Sequence, residues 1–595
     1  MSRRPRGRMK GPFMLDHGTP TLPNATLASL GETLRPHLRA LYPEAAGELE
    51  VALDAHVRLT GLRPWTGTPP DWHRHMRLYA VYPEGVTYDP ALPPFRNLIA
   101  HLPVVHKLHC NAMHVLPFWA SPRRDMGYDI SDYYRIRPEL GTLEDLLAFR
   151  DAAHAQGIQI MVDAVLNHVS EACTWFRHAQ AGCPRCRDFF IHSAHPPRFL
   201  RKVERDATWY AEYEVDGRAV EVEIAFPELT GLVPHWRLGL DGHWYYHTYY
   251  PEELDLNWAN PEVFLEMAKV LLHWASLGFH FRLDAIPFVG KPAYKRINRP
   301  DPATHRLVQA FRTLAEAAHP NAILVAESFE DLATVKTYFG EDAAAGAHFA
   351  YNFHLCANLW ISLTKHDPYY LWNLLEQDRD IPPGAQWLNF LRNHDELSLA
   401  HLHPGQVHDL LRNLLRFGKP FRQGHSVSGR TLSLLGANKA RFSMAYFLLA
   451  SLPGAPMVIY GDEIAFPNRR LLALPRERRK DTRNINRGVL RPRDYHADHA
   501  GDMVDFLASV LGAREAASSF FDHYPERIGG PDRELFLARY GGSGGTLLVL
   551  VNLSPRARYV PLDLRGFRPV TSVNRVSLTP AGVSLGAYAG VWLET

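Results

Sequence analysis

Gly278-Phe279-His280-Phe281-Arg282-Leu283-Asp284-Ala285 reads as a short apolar strand that ends in two charged side chains. Arg282 and Asp284 stand two residues apart, so a strand places them on one face. Ala322-Ile323-Leu324-Val325-Ala326-Glu327 follows the same plan, an apolar run that closes on one carboxyl. Outward from these two segments the plan repeats. Apolar runs at 78–82, 112–118, 158–165, 279–286, 323–326, 387–391 and 456–460, with another near 349–353, alternate with helix-period stretches that include 142–155, 261–276 and 305–318. Such alternation predicts an α/β fold whose parallel strands are buried on both faces. Eight of them close most economically into a (β/α)8 TIM barrel.

The strand ends carry the strongest signal. Asp163, Asn167 and His168; Arg282 and Asp284; Glu327; Asn393, His394 and Asp395; and Asp462 and Glu463 each follow an apolar run. In a TIM barrel those C-terminal ends converge on the active site. Ordinary loop polarity does not predict the same ending on strand after strand.

The barrel is expected over 71–172 and 244–514. Leu27, Leu30, Leu34, Leu38 and Leu41 recur at helical spacing, so residues 1–70 read as an N-terminal helical segment, with Pro36 kinking it or starting a new turn. Residues 173–243, after the third strand, are too long and too rich in charge and aromatics for a simple βα loop and read as an inserted subdomain. Strand-like runs at 535–540, 546–552, 558–562 and 587–593 suggest a C-terminal antiparallel β-sandwich over 515–595.

Composition narrows the function. The 65 basic and 63 acidic residues nearly cancel, which gives no general attraction to nucleic acid or an anionic membrane. No apolar run is long enough to span a bilayer. The basic start, Met1 to Arg8, lacks the apolar stretch of a secretion signal and reads as a short arm, so a cytoplasmic location is the default. No phosphate-cradling glycine loop follows a strand. Five cysteines, an odd number, argue against a complete disulfide framework. Cys183-Pro184-Arg185-Cys186 leaves three readings open: inert thiols, a local disulfide, or part of a zinc site. Nothing in the sequence sets an oligomeric state or names a macromolecular partner.

Cleaving a glycosidic bond with retention takes two carboxyl groups about 5–5.5 Å apart, one attacking and one protonating the departing oxygen. Asp284 and Glu327, at the ends of barrel strands, are the pair to pick. Arg282 beside Asp284 is expected to keep it ionised, and partial burial to raise the pKa of Glu327 as suits an acid.

Asp163-Ala164-Val165-Leu166-Asn167-His168, the Arg282/Asp284 segment, the Glu327 segment and Asn393-His394-Asp395 resemble, in order, the four signature regions of the alpha-amylase family, glycoside hydrolase family 13. Leu254-Asp255-Leu256-Asn257 resembles its fifth. The resemblance implies Asp284 as nucleophile, Glu327 as acid/base and Asp395 as a grip on the glucosyl hydroxyls. It implies that His168 and His394 donate to hydroxyls, that Arg282 orients the nucleophile, that Tyr128 stacks on the sugar, and that Asp163 and Asn167 support the floor. In some relatives the asparagine position binds calcium, yet the aspartate-rich calcium loops of many amylases are not evident, so no metal or other cofactor is assigned.

Finer features bear on the substrate, a small carbohydrate. Asp125-Met126-Gly127-Tyr128 and Asp481-Thr482-Arg483 resemble places where amylosucrases and their relatives close the pocket with an Asp–Arg bridge. Phe390 to Leu397 resembles the matching segment of trehalose synthases, and Asn298 to His305 a stretch that trehalose synthases share with amylosucrases. Glu253 to Asn257 and Lys480 to Arg487 depart from those patterns. These features imply an exo-acting α-glucosidase or α-glucosyltransferase for maltose, sucrose or trehalose, working through a glucosyl-aspartate. The alternatives are a sucrose-type phosphorylase, an endo-acting amylase, and a non-catalytic carbohydrate-binding barrel.

Overall fold

The computed structural model describes residues 27–595 except 206–207, 231–232, 292–301, 341–344, 400, 497–499 and 543. Its centre is a ring of eight strands: β1 (Leu78–Val81), β2 (Ala112–Val115), β3 (Gln159–Val165), β4 (His280–Asp284), β5 (Leu324–Ala326), β6 (Phe349–Tyr351), β7 (Gln386–Phe390) and β8 (Ala455–Ile459). Each pairs in parallel with the next, and β8 returns to β1 to close the barrel. Burial on both faces explains their composition. All of β3 and β4 is buried, so only apolar residues and charges that find partners can stand there. The apolar run at 112–118 yields a strand only to Val115, because Pro117 has no N–H for the ladder. The chain beyond it forms a short hairpin, Trp119–Ala120 against Asp132–Ile136.

Helices cover the outside of the ring. Pro261–Ser276 starts where Asn260 accepts from Glu262 N at 2.9 Å and Pro261 takes the first helical position. Leu143–His154 opens with a reciprocal cap between Thr142 and Asp145. Leu30–Leu41 and Ala46–Thr60 form the lead-in, which buries Leu30, Leu34 and Leu38. Pro36 lies inside the first of these helices and starts no new element. Residues 1–26, with the basic arm, lie outside the described residues. Among the described residues no helix is long and apolar enough to cross a membrane.

After β3 the chain makes two small antiparallel sheets. One holds Arg198–Arg205, Thr208–Val215 and Arg218–Glu223; the other holds His192–Ser193, Trp236–Leu238 and Trp244–Tyr246. They pack on their own core of Ala211, Tyr213, Val222, Ile224, Trp236 and Tyr246. Cys183 and Cys186 sit at the edge of this insert as thiols with their sulfurs 2.9 Å apart. Among the described residues no group of three His, Cys, Asp or Glu side chains could hold a metal ion. The chain ends in a five-stranded and a three-stranded antiparallel sheet, with Leu548, Leu550, Val560, Val583, Leu585 and Val591 buried between them.

Candidate active site

Strand register assembles the site before any loop contributes. Arg282 on β4 stands opposite Asp163 on β3, and Leu283 opposite Ala326 on β5, which brings Glu327 beside Asp284. Arg282 is 1% exposed and is the hub. Its Nη1 donates to Asp163 Oδ1 at 2.6 Å and to Asp284 Oδ1, and its Nη2 pairs with Glu327 Oε1. One guanidinium therefore holds both strand-end carboxyls. The residue after Asp284 sharpens this geometry. Ala285 has φ 47°, a left-handed conformation that is costly for alanine, and its N–H donates to Glu327 Oε2 at 3.0 Å.

Arg282, expected to keep Asp284 ionised, acts in that direction but against a larger effect of burial. Burial pushes the Asp284 carboxyl well above the usual carboxylate range; Arg282 opposes this, and Glu327, Asp163 and Asp395 add to the rise. The physical reason is that one positive charge is divided among three carboxyls in a desolvated cluster. Asp163 goes the other way. Against the effect of burial, His114 at 3.0 Å and Arg282 hold it below the usual range.

Asp395 is the most open of the three carboxyls, with 24% of its side chain exposed against 9% for Asp284 and 11% for Glu327. Burial would raise its pKa, but His394, Arg483 and Arg487 together hold it well below the ordinary value. Arg483 Nη1 reaches Asp395 Oδ1 at 3.0 Å, and its Nη2 reaches Asp125 Oδ1 at 2.9 Å. Asp481 and Tyr250 bind the same guanidinium, which also lies 4.5 Å over the Phe226 ring and 5.0 Å over Phe421. Asp125, Arg483 and Asp395 thus form one continuous wall. Burial raises Asp125 to about 6 despite Arg483 and Arg487.

Tyr128 stacks on His394 with ring centres 5.4 Å apart, and its Oη lies 2.8 Å from His394 Nε2. His168 is held down to about 4 by burial, so it is neutral at pH 7; its Nδ1 accepts from Asn167 at 3.3 Å. Asn167 itself is turned away from the cavity. Its Oδ1, Asp255 Oδ2 and the Phe288 carbonyl surround the Lys291 ammonium at 2.6, 2.6 and 3.0 Å. That trio of oxygens would suit a cation, and the chain's own lysine fills it.

These side chains face a cavity of about 660 Å³. Of the residues singled out in the sequence, Asp125, Tyr128, His168, Asp284, Glu327, Asn393, Asp395 and Arg483 line it, while Arg282, Asp163, His394 and Asn167 stand behind that lining. The structure adds Phe226 and Tyr249 from the region after β3, Phe329 after β5, and Glu396 and Arg422 after β7. Arg487 joins the wall at 2.8 Å from Asp395. Its signal was available, since it lies four residues after Arg483 in a tightly turned segment. The lone arginine at 422 carried none.

Comparison with known proteins follows the same lines. Residues 95–412 match the family described as alpha amylase, catalytic domain. A trehalose synthase of Pimelobacter sp. (strain R48) is 28% identical over 578 residues, covering 89% of this chain and 96% of that protein. A trehalose synthase of Thermus thermophilus is 31% identical over 411 residues; this covers 68% of the chain but only 40% of that longer protein. In fold, the chain superposes on Bacillus licheniformis trehalose-6-phosphate hydrolase with a TM-score of 0.66 at 19% identity, over 89% of this chain and all of the other.

Proposed function

The chain belongs to the alpha-amylase family, whose members are glycosidases and transglycosidases, and from that premise we propose that it is a retaining, exo-acting enzyme that moves a single glucosyl unit of maltose, sucrose or trehalose through a covalent glucosyl-aspartate. Asp284 attacks the anomeric carbon. Glu327 protonates the departing oxygen, then takes the proton of the incoming hydroxyl. Retention needs one carboxylate and one carboxylic acid. The two carboxyls meet on one guanidinium, so both can reach one carbon, and the reactive form has Asp284 ionised and the proton on Glu327. Arg282 keeps both in reach of one carbon. Asp395, kept ionised, accepts hydrogen bonds from ring hydroxyls, and Tyr128 offers its ring to the sugar face.

The observation that carries the exo-acting part is Arg483 in contact with Asp125 and Asp395 at once. A buried ion-pair wall at that point blocks a chain from running through the cavity. A single non-reducing glucose is what fits. Similarity to trehalose synthases favours a sugar over water as the acceptor. The test is product analysis with maltose, sucrose and trehalose, each with and without phosphate. The expected outcome is conversion of one or more to an isomer or to free glucose, with no glucose phosphate. Rapid mid-chain cutting of soluble starch would overturn the closed-wall reading, and phosphate-dependent cleavage would make the enzyme a phosphorylase.

A further inference from the structure

Cys183-Pro184-Arg185-Cys186 is a motif that the glucosyl chemistry leaves unused. The four residues make a single turn. Pro184–Arg187 is helical, Arg187 N donates to the Cys183 carbonyl at 3.0 Å, and Pro184 fixes the φ of the position after Cys183. Residues three apart on such a turn present their side chains to the same side, and the two sulfurs stand 2.9 Å apart as thiols. Among the described residues no third His, Cys, Asp or Glu joins them to make a metal site. Each sulfur has the other as its chemical partner.

Surroundings divide the five cysteines into two groups. Cys110, Cys173 and Cys356 are 4%, 5% and 2% exposed, and burial pushes their thiols up to about 12, 11 and 12. A buried thiol held protonated is a poor nucleophile. Cys183 and Cys186 are only partly buried, and they differ from each other. The hydrogen bond with the Cys186 side chain, and then the Cys186 N–H at 3.4 Å, hold the Cys183 thiol below its ordinary range. Burial, and then the hydrogen bond with Cys183, push the Cys186 thiol up to about 11. One sulfur is therefore suited to attack, and the other to follow once its neighbour has reacted.

The turn bridges two parts of the molecule. Arg185 pairs with Glu262 at 2.9 Å, in the first turn of the barrel helix Pro261–Ser276. Arg187 pairs with Asp241 of the insert at 2.9 Å. The Asp188 carbonyl accepts from Nδ2 of Asn257 and of Asn260, each at 3.1 Å.

We infer that Cys183 and Cys186 are a redox-active dithiol at the joint between barrel and insert, oxidised reversibly to a disulfide by a low-molecular-weight disulfide. With glutathione disulfide as reagent, the Cys183 thiolate attacks one of its sulfurs. The reagent's S–S bond breaks, and one glutathione leaves and takes a proton from solvent. Cys186 then gives its proton to solvent and attacks the Cys183 sulfur, which expels the second glutathione. Two electrons pass from the cysteines to the reagent, and excess dithiol returns them by the same steps in reverse. The inference stands apart from the proposed function.

The experiment exposes the reduced full chain to glutathione disulfide, quenches with acid, and reads intact mass and cysteine-peptide maps. Wild type should lose two hydrogens, gain a Cys183–Cys186 disulfide, and recover both on addition of dithiothreitol. Cys186→Ser should stop at one glutathione held on Cys183, and Cys183→Ser should react at least about tenfold more slowly. If a serine variant fails to fold, timed alkylation of wild type with iodoacetamide ranks the five thiols directly, with Cys183 expected first and Cys110, Cys173 and Cys356 unreacted. Wild type that stays reduced, or that keeps a glutathione without closing the disulfide, would overturn the inference. So would alkylation of the three buried cysteines as fast as Cys183.

Discussion

Replacing Arg483 with lysine keeps a positive charge and removes the planar fork. The arginine donates to Asp481 through Nε, to Asp395 through Nη1 at 3.0 Å, and to Asp125 through Nη2 at 2.9 Å. A single ammonium cannot reach Asp125, Asp395 and Asp481 together, so at least one contact facing the cavity is lost. A hydrogen bond to a charged group contributes about 1.5–3 kcal/mol. Arg487 limits the damage, since it already contacts Asp395 at 2.8 Å and lies 3.9 Å from Asp125. One such contact is therefore the expected loss, which corresponds to a roughly 10- to 150-fold fall in kcat/KM for the preferred disaccharide. Longer maltooligosaccharides, which the wall excludes, should lose less or gain. The assay is steady-state kinetics on maltose and maltoheptaose, with circular dichroism to confirm folding. A folded Arg483→Lys enzyme with full disaccharide activity, or with equal losses on both substrates, would refute the wall as the determinant of chain length.

Asp284→Asn should lower turnover by about 10⁴-fold or more, because no other group can form the intermediate, while stabilising the fold. A carboxyl whose pKa is raised on folding holds its proton more tightly in the folded state, so ionising it draws down stability as pH rises above the ordinary carboxylate range. The amide escapes that, and urea titrations should show an advantage of about 1–2 kcal/mol that widens from pH 5 to pH 8. Asp125, raised to about 6, is charged above that pH and neutral below it. KM for the disaccharide should therefore rise as pH falls through about 6, and Asp125→Asn should flatten that limb of the profile. Lys291→Met removes the cation between Asn167 and Asp255 and leaves Asp255 buried without it. Urea unfolding should register a loss of about 3–5 kcal/mol.

Sequence reading went furthest where one period governed several residues. The ends of β4, β5 and β7 could be found because an apolar run dictates where it stops, and Asp284, Glu327, Asn393, His394 and Asp395 stand at or just past those stops, while Asp163 and Arg282 lie within β3 and β4 as the polar exceptions in buried runs. Pro261–Ser276 was legible to the residue, with Pro261 at its first position and Gly278 just past its end. What escaped came from segments without a period. Arg422 and Glu396 meet across a strained turn after β7, and Phe226 reaches the wall only through the fold of the region after β3. The shared charge of Arg282 also lay beyond the sequence, since neighbours two apart say nothing of Glu327 and Asp163 arriving on the same guanidinium. In the C-terminal region Arg568–Val573 and Val576–Thr579 are too exposed for an apolar period to stand out, and Gly582–Leu585 is too short to show one. Asn298–Asp301, part of the stretch that resembles trehalose synthases, lies outside the described residues.

The central claim is a covalent bond at Asp284. Glu327→Gln, mixed rapidly with α-glucosyl fluoride, uses a leaving group that needs no proton but lacks the base that resolves the intermediate. Peptide mass spectrometry after acid quench should find one glucosyl group, carried by the peptide with Asp284 and absent from the same peptide of the Asp284→Asn, Glu327→Gln double variant. Fluoride release without any labelled peptide, or a glucosyl group on a different residue, would contradict the account.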